Sequence, residues 1–451
     1  MRMTMIYTFP LLPLIRKPLC TPLHQGPEGV LGFVIKGLSD SPTVHGNFSF
    51  FLIDGNRGTV SHHSGSLPPG HINRMHLYYD QSRSLWALGV EGSRGSLEVY
   101  ELYSEINQQW TKLFWVDTKD MGLGNKVLVA MWQQDEQYPL VFYVVDIGET
   151  SDSRMYWMQW RSTEHENYQA PQPIGYCDTV VPFIADKGCL LFLCQRAFYK
   201  EPEEPDLRRG PGNWQIGIAA YRSDGVLIRQ EPLSDVTFPI RNPELPSKDL
   251  LDWLRIRMSV TDGPRYGPDG QRTCVAALVL QDTSGIATEK GSKGGLYCVD
   301  MQGEVIHREA SPLGEQISLC LCGETVIGTD VFDGHRRLWR WSPLAGTELQ
   351  IEAYLSPDVQ RATVVAIKED EIIASQFWCV EEHLKGVRIS RWRSEPLVEL
   401  QDVWYEGMTL PDDLVASYIR DRKPIGIVAY QNVLFILGID KDKQLKCFRV
   451  Q

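Results

Sequence analysis

The chain has 451 residues, of which 43% are hydrophobic, and this is enough to bury a large core. Its formal net charge is −12, and no run of Lys and Arg alternates with aromatic residues. A phosphate backbone would therefore be repelled on average, so we expect no nucleic-acid partner. No stretch reaches the roughly 18 uninterrupted apolar residues of a membrane span, so we expect no membrane partner either.

We divide the sequence into an N-terminal segment, residues 1–25, and one large domain, residues 26–451. Residues 5–15 are apolar and follow Arg2, as in a signal peptide, but two prolines interrupt them and no small-residue cleavage site follows. We expect this segment to be signal-like or disordered. A cytoplasmic location is favoured, with secretion as the alternative. Asn47 begins a glycosylation sequon that would be used only in a secreted chain.

A repeated unit is the strongest pattern in the chain. It consists of an apolar run, a turn, and an alternating run that carries Tyr or Trp. Period-2 alternation bounded by Gly, Asp and Asn predicts strand–turn–strand. The clearest copies span 84–103, 139–160, 325–341, 371–392 and 432–450. Further short apolar strands are predicted at 72–79, 126–132, 179–185, 253–260, 316–322, 361–367 and 423–430.

These units predict an all-β fold, a single β-propeller of short antiparallel strands. Three strands and a weaker fourth recur roughly every 45–85 residues, as in blades with loop insertions. We count about seven blades, and six or eight would also fit because ring closure can use the N-terminal segment. A β-sandwich is the alternative, but a chain of this length would need two cores and a linker that the sequence does not contain.

Two stretches interrupt the repeats, a Pro-rich charged insertion at 198–213 and a Gly/Ser-rich one at 281–294. Both fall between the second and third strands of a unit. This position predicts that they lie on the side where the innermost strand begins. Long loops that crowd one face are where propellers build pockets.

Polar residues near the starts of the innermost strands are expected to surround the mouth of the channel. They are His71, Asn73, Lys126, Asp178, Arg255, Arg257, Gln316 and Arg361. Arg and Lys in a narrow mouth would bind an anionic or enolic ligand, and the alternative is an ordinary solvated strand end.

Tryptophans are divided between this predicted site and the core. Trp132, Trp253 and Trp378 are placed at strand ends near loops, where an aromatic ring offers a ligand a large contact area. Others, such as Trp86 and Trp339, are mid-strand and predicted to pack between blades.

The chain carries no motif for a catalytic nucleophile, a phosphate-binding loop or a dinucleotide, so we assign no catalytic residue and no cofactor. Four histidines, His62, His63, His71 and His76, fall within fifteen residues. Adjacent residues on a strand point to opposite faces, so His62 and His63 cannot easily bind one ion together. We therefore predict no metal ligand.

Two segments carry a resemblance to a known family. The runs INRMHLYYD-QSRSLWALGVEG and VLVAMWQQ-DEQYPLVFYVVD, each followed by a Trp-bearing strand, resemble the blades of fungal fucose-specific lectins. The same propeller architecture is implied for the hetero-Diels–Alderases of fungal tropolonic sesquiterpenoid biosynthesis. The lectins' repeated Arg/Glu/Trp sugar triad is not regular here. Arg154 with Trp157 and Arg337 with Trp341 are its nearest fragments, and both lack the Glu.

The expected function is therefore a cofactor-free cyclase or pericyclase of hetero-Diels–Alder type in secondary metabolism. It would act on a small molecule in an aromatic-lined pocket at the channel mouth. Such a reaction needs orientation of two π-systems and hydrogen-bond donors to a developing oxyanion, but no nucleophile. A fucose-type lectin, with several equivalent sites, is the first alternative. A protein-interaction scaffold, with an apolar patch on one face, is the second.

Overall fold

The structure is a computed structural model, and side chains are described at part of the positions that it covers. It describes residues 3–10, 19–20, 24–26, 30–36, 45–69, 72–80, 85–92, 96–103, 110–117, 126–132, 140–147, 153–160, 172–176, 179–185, 188–197, 213–222, 226–232, 238–239, 254–266, 271–282, 294–309, 313–356, 359–380, 383–406, 427–430, 433–439 and 444–450.

Nearly all of this part of the chain is β-strand. The strands of the described residues form eight sheets, which we number 1 to 8 in chain order. In each sheet four strands follow one another as antiparallel neighbours, with short extra strands in sheets 1 and 4. Consecutive four-stranded antiparallel meanders of this kind are the building units of a β-propeller, and the chain has this all-β, propeller-type fold.

The first three sheets occupy the N-terminal third of the chain. Sheet 1 contains β2 (Leu19–Cys20), β3 (His24–Gln25), β4 (Val30–Lys36), β5 (His45–Asp54) and β6 (Thr59–Pro69). Sheet 2 contains β7 (Ile72–Asp80), β8 (Leu85–Gly92), β9 (Ser96–Tyr103) and β10 (Trp110–Asp117). Sheet 3 contains β11 (Lys126–Trp132), β12 (Leu140–Ile147), β13 (Ser153–Trp160) and β14 (Gln172–Tyr176).

The next three sheets carry both predicted insertions. Sheet 4 contains β15 (Thr179–Ala185), β16 (Gly188–Ala197), β17 (Asn213–Arg222), β18 (Leu227–Pro232) and β19 (Phe238–Pro239). Sheet 5 contains β20 (Leu254–Tyr266), β21 (Gln271–Asp282), β22 (Gly294–Asp300) and β23 (Val305–Glu309). Sheet 6 contains β24 (Glu315–Cys322), β25 (Thr325–Phe332), β26 (His335–Trp341) and β27 (Gln350–Tyr354), with a short 3-10 turn at Pro343–Ala345.

The last two sheets include a strand from the start of the chain. Sheet 7 contains β28 (Val359–Lys368), β29 (Glu371–Val380), β30 (His383–Ser394) and β31 (Leu397–Glu406). Sheet 8 contains β32 (Ile427–Tyr430), β33 (Val433–Ile439), β34 (Gln444–Val450) and β1 (Met3–Pro10). Strand β1 pairs antiparallel with β34, from Met3 opposite Val450 to Pro10 opposite Gln444.

Two compact units divide the chain, one formed by Met1–Met131 with Asp358–Gln451 and the other by Trp132–Pro357. Sheets 1, 2, 7 and 8 belong to the first unit, and sheets 4, 5 and 6 to the second. No helix among the described residues is long and apolar enough to cross a membrane.

The predicted hairpins are confirmed. All five clear copies are antiparallel strand pairs, formed by β8 with β9, β12 with β13, β25 with β26, β29 with β30, and β33 with β34. The predicted short strands correspond to β7, β11, β15, β20, β24, β28 and β32, and each is the first strand of its sheet. The sequence predicts about seven units, whereas eight sheets occur in the described part of the chain. The closure of these sheets into one ring stays a prediction.

The N-terminal segment contributes strands to two sheets. Residues 3–10, part of the stretch predicted to be signal-like or disordered, form β1, while β2 and β3 pair with β4 of sheet 1. A period-2 apolar run can join a sheet wherever an edge strand offers unpaired backbone groups, and here β34 offers that edge.

Acidic residues at strand ends hold two of the turns. Asp54 ends β5, and its Oδ1 accepts the backbone N–H groups of Asn56 at 2.9 Å and Arg57 at 3.0 Å. Asp300 ends β22, and its Oδ1 accepts those of Gln302 at 2.9 Å and Glu304 at 2.8 Å. These side chains satisfy turn amides that have no ladder partner, which explains why an acidic residue ends an apolar run at these two turns.

In the first unit, an indole ring fits against glycine between sheets 1 and 2. Trp86 of β8 is 2% exposed, and a Cβ added at Gly32 of β4 would lie 2.7 Å from its ring. Phe50 meets the indole edge-on, with ring centroids 5.4 Å apart. The buried cluster around it joins Val34 and Phe48 of sheet 1 to Leu77 and Leu88 of sheet 2. The prediction that Trp86 packs between sheets is confirmed.

In the second unit, sheets 5 and 6 pack face to face around two buried tryptophans. Trp339 and Trp341 of β26 contact Leu296 and Cys298 of sheet 5, together with Leu313, in one cluster. Within sheet 6, Trp339 pairs with Gly328 of β25, and a Cβ added there would lie 2.2 Å from the indole. Only a glycine at position 328 leaves room for the Trp339 ring, so the close packing at this point requires both residues.

Replacing Gly328 by alanine should therefore destabilise the second unit. The added methyl group overlaps a fully buried ring, and overpacking of this kind costs about 1–3 kcal/mol. The matched control is Gly334→Asn. Gly334 has φ +76 and nothing within 4 Å of an added Cβ, and Asn tolerates this left-handed backbone. Thermal unfolding should show a clear fall in Tm for Gly328→Ala only. Equal shifts in the two variants would contradict the Trp339 packing described above.

Candidate functional site

The long connections of sheets 4 and 5 leave each sheet at the end where its first strand begins, which we call the entry end. Thr179, the first residue of β15, pairs with Cys194, three residues before β16 ends. Leu254, the first residue of β20, pairs with Asp282, the last residue of β21. Strands β16 and β21, which the connections 198–212 and 283–293 follow in the chain, therefore end beside the first residues of β15 and β20. The outer residues of both predicted insertions, 213, 281–282 and 294, belong to strands.

The first strands of sheets 4, 5 and 6 are neighbours. Strand β20 contacts both β15 and β24. The Ser259 Oγ of β20 donates to the Ile317 carbonyl oxygen of β24 at 3.2 Å. Arg257 lies two residues before Ser259 on β20, and Gln316 lies one residue before Ile317 on β24. At about 3.3 Å per residue, the backbone of each is within about 7 Å of this hydrogen bond along its own strand. These two predicted site residues are brought together.

A buried ion pair joins the second and third strands of sheet 6. Asp330 of β25 is 0% exposed and Arg337 of β26 is 4% exposed. The Arg337 Nε and Nη2 atoms donate to Oδ1 and Oδ2 of Asp330 at 2.9 and 2.5 Å. The Arg337 guanidinium also lies over the Phe332 ring, 4.2 Å from its centroid. Such a two-bond arrangement is the strongest geometry for an Arg–carboxylate pair.

The same carboxylate holds the chain that leads into β24. The Gly314 backbone N–H donates to Asp330 Oδ2 at 2.6 Å. A Cβ on Gly314 would lie 1.9 Å from the carbonyl oxygen of Val331, so only glycine permits this approach of two backbones. Glu315, the next residue, pairs with Val331 and begins β24. Asp330 thus fixes the start of the first strand and its neighbouring hairpin together.

At the entry end, a two-residue turn joins β25 and β26 of sheet 6. Asp333 and Gly334 connect β25 to β26 with φ values of 49 and 76, as a tight hairpin turn with two left-handed residues requires. Sheets 4 and 5 have connections of 15 and 11 residues, 198–212 and 283–293, at the equivalent position. The entry end of the second unit is therefore strongly asymmetric.

Six of the residues predicted to surround a channel mouth lie at the starts of first strands. Asn73 is the second residue of β7, Lys126 the first of β11, Arg255 and Arg257 the second and fourth of β20, Gln316 the second of β24, and Arg361 the third of β28. His71, Asp178 and Trp253 lie outside the described residues.

The register brings Trp378 and Arg361 together but separates Trp132 from Lys126. In sheet 7, Val359 pairs with Trp378 and Arg361 with Phe377, so Trp378 and Arg361 lie at the same end of the sheet. In sheet 3, Lys126 begins β11 and Trp132 ends it, so these residues are about 20 Å apart along the strand. Trp132 is at the end of sheet 3 opposite to the entry end.

One sequence fragment that resembles the lectin triad has a structural role. The Arg337 guanidinium binds the Asp330 carboxylate, and Trp341 is 0% exposed and stacks near His307, with ring centroids 5.8 Å apart. A sugar could reach neither residue. Sequence reasoning missed the Asp330–Arg337 pair, although a lone acidic residue inside the apolar run TVIGTDVF was a signal for it.

Adjacent histidines on β6 pack against different phenylalanines. His62 lies 5.2 Å from the Phe51 ring and His63 lies 6.3 Å from the Phe50 ring, measured between centroids. Burial lowers the pKa of His62 below its ordinary value. Burial, with a smaller effect of nearby His62, lowers the pKa of His63. Among the described residues, no three His, Cys, Asp or Glu side chains are grouped as a metal site would require.

These shifted histidines should make the protein less stable in mild acid. Because their pKa values are lower in the folded state, the unfolded chain binds more protons below about pH 6.5, its reference value. Stability should therefore fall as the pH falls from 7.5 to 5.5. A His62→Gln/His63→Gln variant should show a shallower fall of Tm over this range. His335→Gln, at an exposed position, controls for the loss of a histidine elsewhere. An unchanged slope in the double variant would contradict this effect.

Breaking the buried ion pair should destabilise the second unit strongly. Arg337→Leu leaves the Asp330 carboxylate buried without its cation, and a loss of about 3–5 kcal/mol is expected. The double variant Asp330→Leu/Arg337→Met removes both charges and should be less damaging than Arg337→Leu. Arg340→Gln is the control, because it removes a partly exposed pair with Glu352 and an exposed hydrogen bond to Gln350 and should cost less than about 1 kcal/mol. Thermal unfolding measures all three, and a similar Tm for Arg337→Leu and Arg340→Gln would contradict the assignment.

No family model matches the chain, and no curated protein sequence matches it. Several solved structures are similar in fold. The Penicillium chrysogenum alpha-L-arabinanase complexed with arabinobiose is 10% identical, with 88% of this chain and 99% of that chain covered and a TM-score of 0.34. The WD40 domain of SCAP from fission yeast is also 10% identical, with 98% and 97% covered and a TM-score of 0.48. A polysaccharide lyase of family PL25, an ulvan lyase, is 11% identical, with 71% and 81% covered and a TM-score of 0.37. Because these TM-scores lie below 0.5, the propeller assignment is based here on the sheet order.

Proposed function

We propose that the chain is a cofactor-free small-molecule cyclase of hetero-Diels–Alder type, acting at the entry end of sheets 4, 5 and 6. The asymmetry of this end supports the proposal most. Strands β16 and β21 end beside the starts of β15 and β20 and are followed by connections of 15 and 11 residues, whereas sheet 6 closes with a two-residue turn. Unequal connections at one end suit one site for a single substrate better than several equal ligand sites.

The proposed reaction needs only positioning and a hydrogen-bond donor. A conjugated enone and an alkene exchange three π bonds for two σ bonds and one new C=C bond. All atoms of both partners are retained, and no electron or proton is supplied from outside. Holding the two partners in a reactive orientation removes much of the entropic barrier.

Arg257 is the residue we assign to the enone oxygen. Negative charge grows on this oxygen as the new bonds form, and a guanidinium that donates to it lowers the barrier. Arg257 lies two residues before the Ser259–Ile317 hydrogen bond. The start of the neighbouring strand β24 follows Gly314, which the buried Asp330 carboxylate holds. A binding wall that is fixed before the substrate arrives does not have to reorganise during the reaction.

The lectin alternative has less support. It requires several equivalent sugar triads, and in the Arg337–Trp341 fragment both side chains are buried. The scaffold alternative has one observation in its favour. Val226, Leu227, Ile228 and Val305 are exposed apolar residues, and they lie where the fourth strands of sheets 4 and 5 begin. Protein binding at that position would leave the entry end free.

The test is catalysis of a cycloaddition between a β,γ-unsaturated α-keto ester and a vinyl ether. The wild-type chain should accelerate product formation and give an enantiomeric excess, measured by chiral chromatography. Arg257→Gln should lower the rate at least about 10-fold, since loss of one oxyanion donor costs about 10²–10³ in kcat in well-studied enzymes. Arg265→Gln is the matched control, because Arg265 lies on the same strand eight residues further along and is exposed.

Two outcomes would count against this function. The first is racemic product at the uncatalysed rate in the presence of the wild-type chain. The second is calorimetric titration with fucose that gives several equivalent sites per chain, which would favour the lectin.

A further inference from the structure

In seven of the eight described sheets, the fourth strand contains one extra residue that interrupts its pairing with the third strand. In sheet 4, for example, Ala220 pairs with Arg229 and Tyr221 with Leu227, so Ile228 has no residue opposite it. Such β-bulges bend and twist an outer strand, which prevents another strand from adding to it. The seven extra residues are Leu113, Ile174, Ile228, Ile306, Glu352, Leu400 and Ile6.

Strand β6, the outermost strand of sheet 1, is the exception. From Asn47 opposite Ser66 to Asp54 opposite Thr59, the pairing of β5 with β6 runs without a shift in register. With 11 residues, β6 is also the longest of the described fourth strands. It is the last strand in the order of sheet 1, and no described strand pairs with its outer edge. A long, regular edge of this kind is a template for another strand.

The composition of β6 adds no electrostatic protection to this edge. Residues 59–69 contain no Lys, Arg, Asp or Glu, and the side chains of Thr59 and Ser61 are exposed. Pro68 and Pro69 at the end of the strand have no backbone N–H, which limits regular pairing to residues 59–67. This segment is about 30 Å long at about 3.3 Å per residue.

Contacts on both faces and at the preceding turn hold β6 in position. The rings of His62 and His63 lie 5.2 Å from Phe51 and 6.3 Å from Phe50, measured between centroids. The Asp54 carboxylate holds the turn that leads into the strand. An edge that is already ordered loses little conformational entropy when a second strand pairs with it.

We propose that β6 pairs antiparallel with β6 of a second copy of this chain, about a two-fold axis, so that the two copies of sheet 1 become one continuous sheet. The two edges are identical, regular over 59–67 and without Lys, Arg, Asp or Glu, so no two of these charges are placed directly opposite each other. The bulged outer strands of the other seven sheets would fit this edge less well.

Use of the whole segment places the two-fold axis at His63. An antiparallel pair of this length forms about nine backbone hydrogen bonds, close to the number in a typical protein–protein interface. The proposed surface belongs to the first unit, whereas the proposed cyclase site belongs to the second. The inference therefore does not depend on the proposed function.

Sedimentation velocity of the full chain over a wide range of concentration tests the pairing. The wild type should form a dimer as concentration rises. Ser61→Lys should raise the dimer Kd at least about 10-fold, because the two-fold axis brings the added charge to the edge twice and lysine on an edge strand opposes pairing. Gln401→Lys is the matched control, since Gln401 is exposed on the bulged fourth strand of sheet 7 and this variant should dimerise as the wild type does.

Hydrogen exchange then locates the interface. Amides of residues 59–67 should be better protected at high than at low protein concentration, while those of β31 should exchange equally at both. Both lysine variants should keep the wild-type Tm, because each changes an exposed side chain, so loss of the dimer is not loss of the fold. A monomer at every concentration, equal weakening by the two lysines, or a dimer without added protection at 59–67 would overturn the inference.

Discussion

An antiparallel sheet with apolar residues on a face has to cover that face, and in each unit of this chain one sheet covers the face of its neighbour. The rest of the structure depends on this constraint. In the first unit, Trp86 of sheet 2 fits against Gly26 and Gly32 of sheet 1. In the second unit, Trp339 lies on Gly328 while sheets 5 and 6 bury their facing side chains. A tryptophan ring placed against a glycine fills the space beside the backbone without leaving a void.

The same packing determines how the chain enters β24, next to the candidate site. Burial of sheet 6 removes water from Asp330 and Arg337, so their ion pair has to be well formed to be tolerated at all. Its remaining acceptor capacity holds the Gly314 N–H, at the point where the chain enters β24. Arg257, which we propose as a substrate-binding residue, lies on strand β20, and Ser259 of that strand hydrogen-bonds to β24. Local order at the site is thus a consequence of core packing in the adjacent sheet.

Much of the fold could be predicted from the sequence, because its signals are local. Period-2 alternation and turn residues place strands β11 and β15 with the same bounds as in the structure, and the other first strands begin within a few residues of the predicted starts. The number of units was harder to predict from the sequence, because sheet 8 combines β32, β33 and β34 with β1 from the other end of the chain. Nothing in residues 3–10 alone identifies β34 as their partner.

The candidate site could be predicted only in part. The strand pattern placed Arg257 and Gln316 near the beginnings of neighbouring strands, and the structure brings them together at the Ser259–Ile317 contact. The predicted strand 126–132 already put Lys126 and Trp132 at opposite ends, so assigning both residues to one site was inconsistent with the predicted strand, and the structure keeps them apart. The resemblance to lectin blades made Arg337 part of an incomplete sugar triad, whereas the partner of this side chain is Asp330. An ion pair that forms across a hairpin and is buried by another sheet is difficult to recognise from the sequence pattern.

The dependence of the entry end on the buried carboxylate is the central claim, and hydrogen exchange at the Gly314 amide tests it most directly. Exchange resolved to single residues by mass spectrometry should show this amide protected in the wild-type chain, although it lies outside any strand. In Asp330→Ala it should exchange at least about 10-fold faster, as expected for loss of a hydrogen bond to a charged group worth about 1.5–3 kcal/mol. The amides of β22 should keep their protection in the same variant. Equal exchange at Gly314 in both proteins would contradict the account.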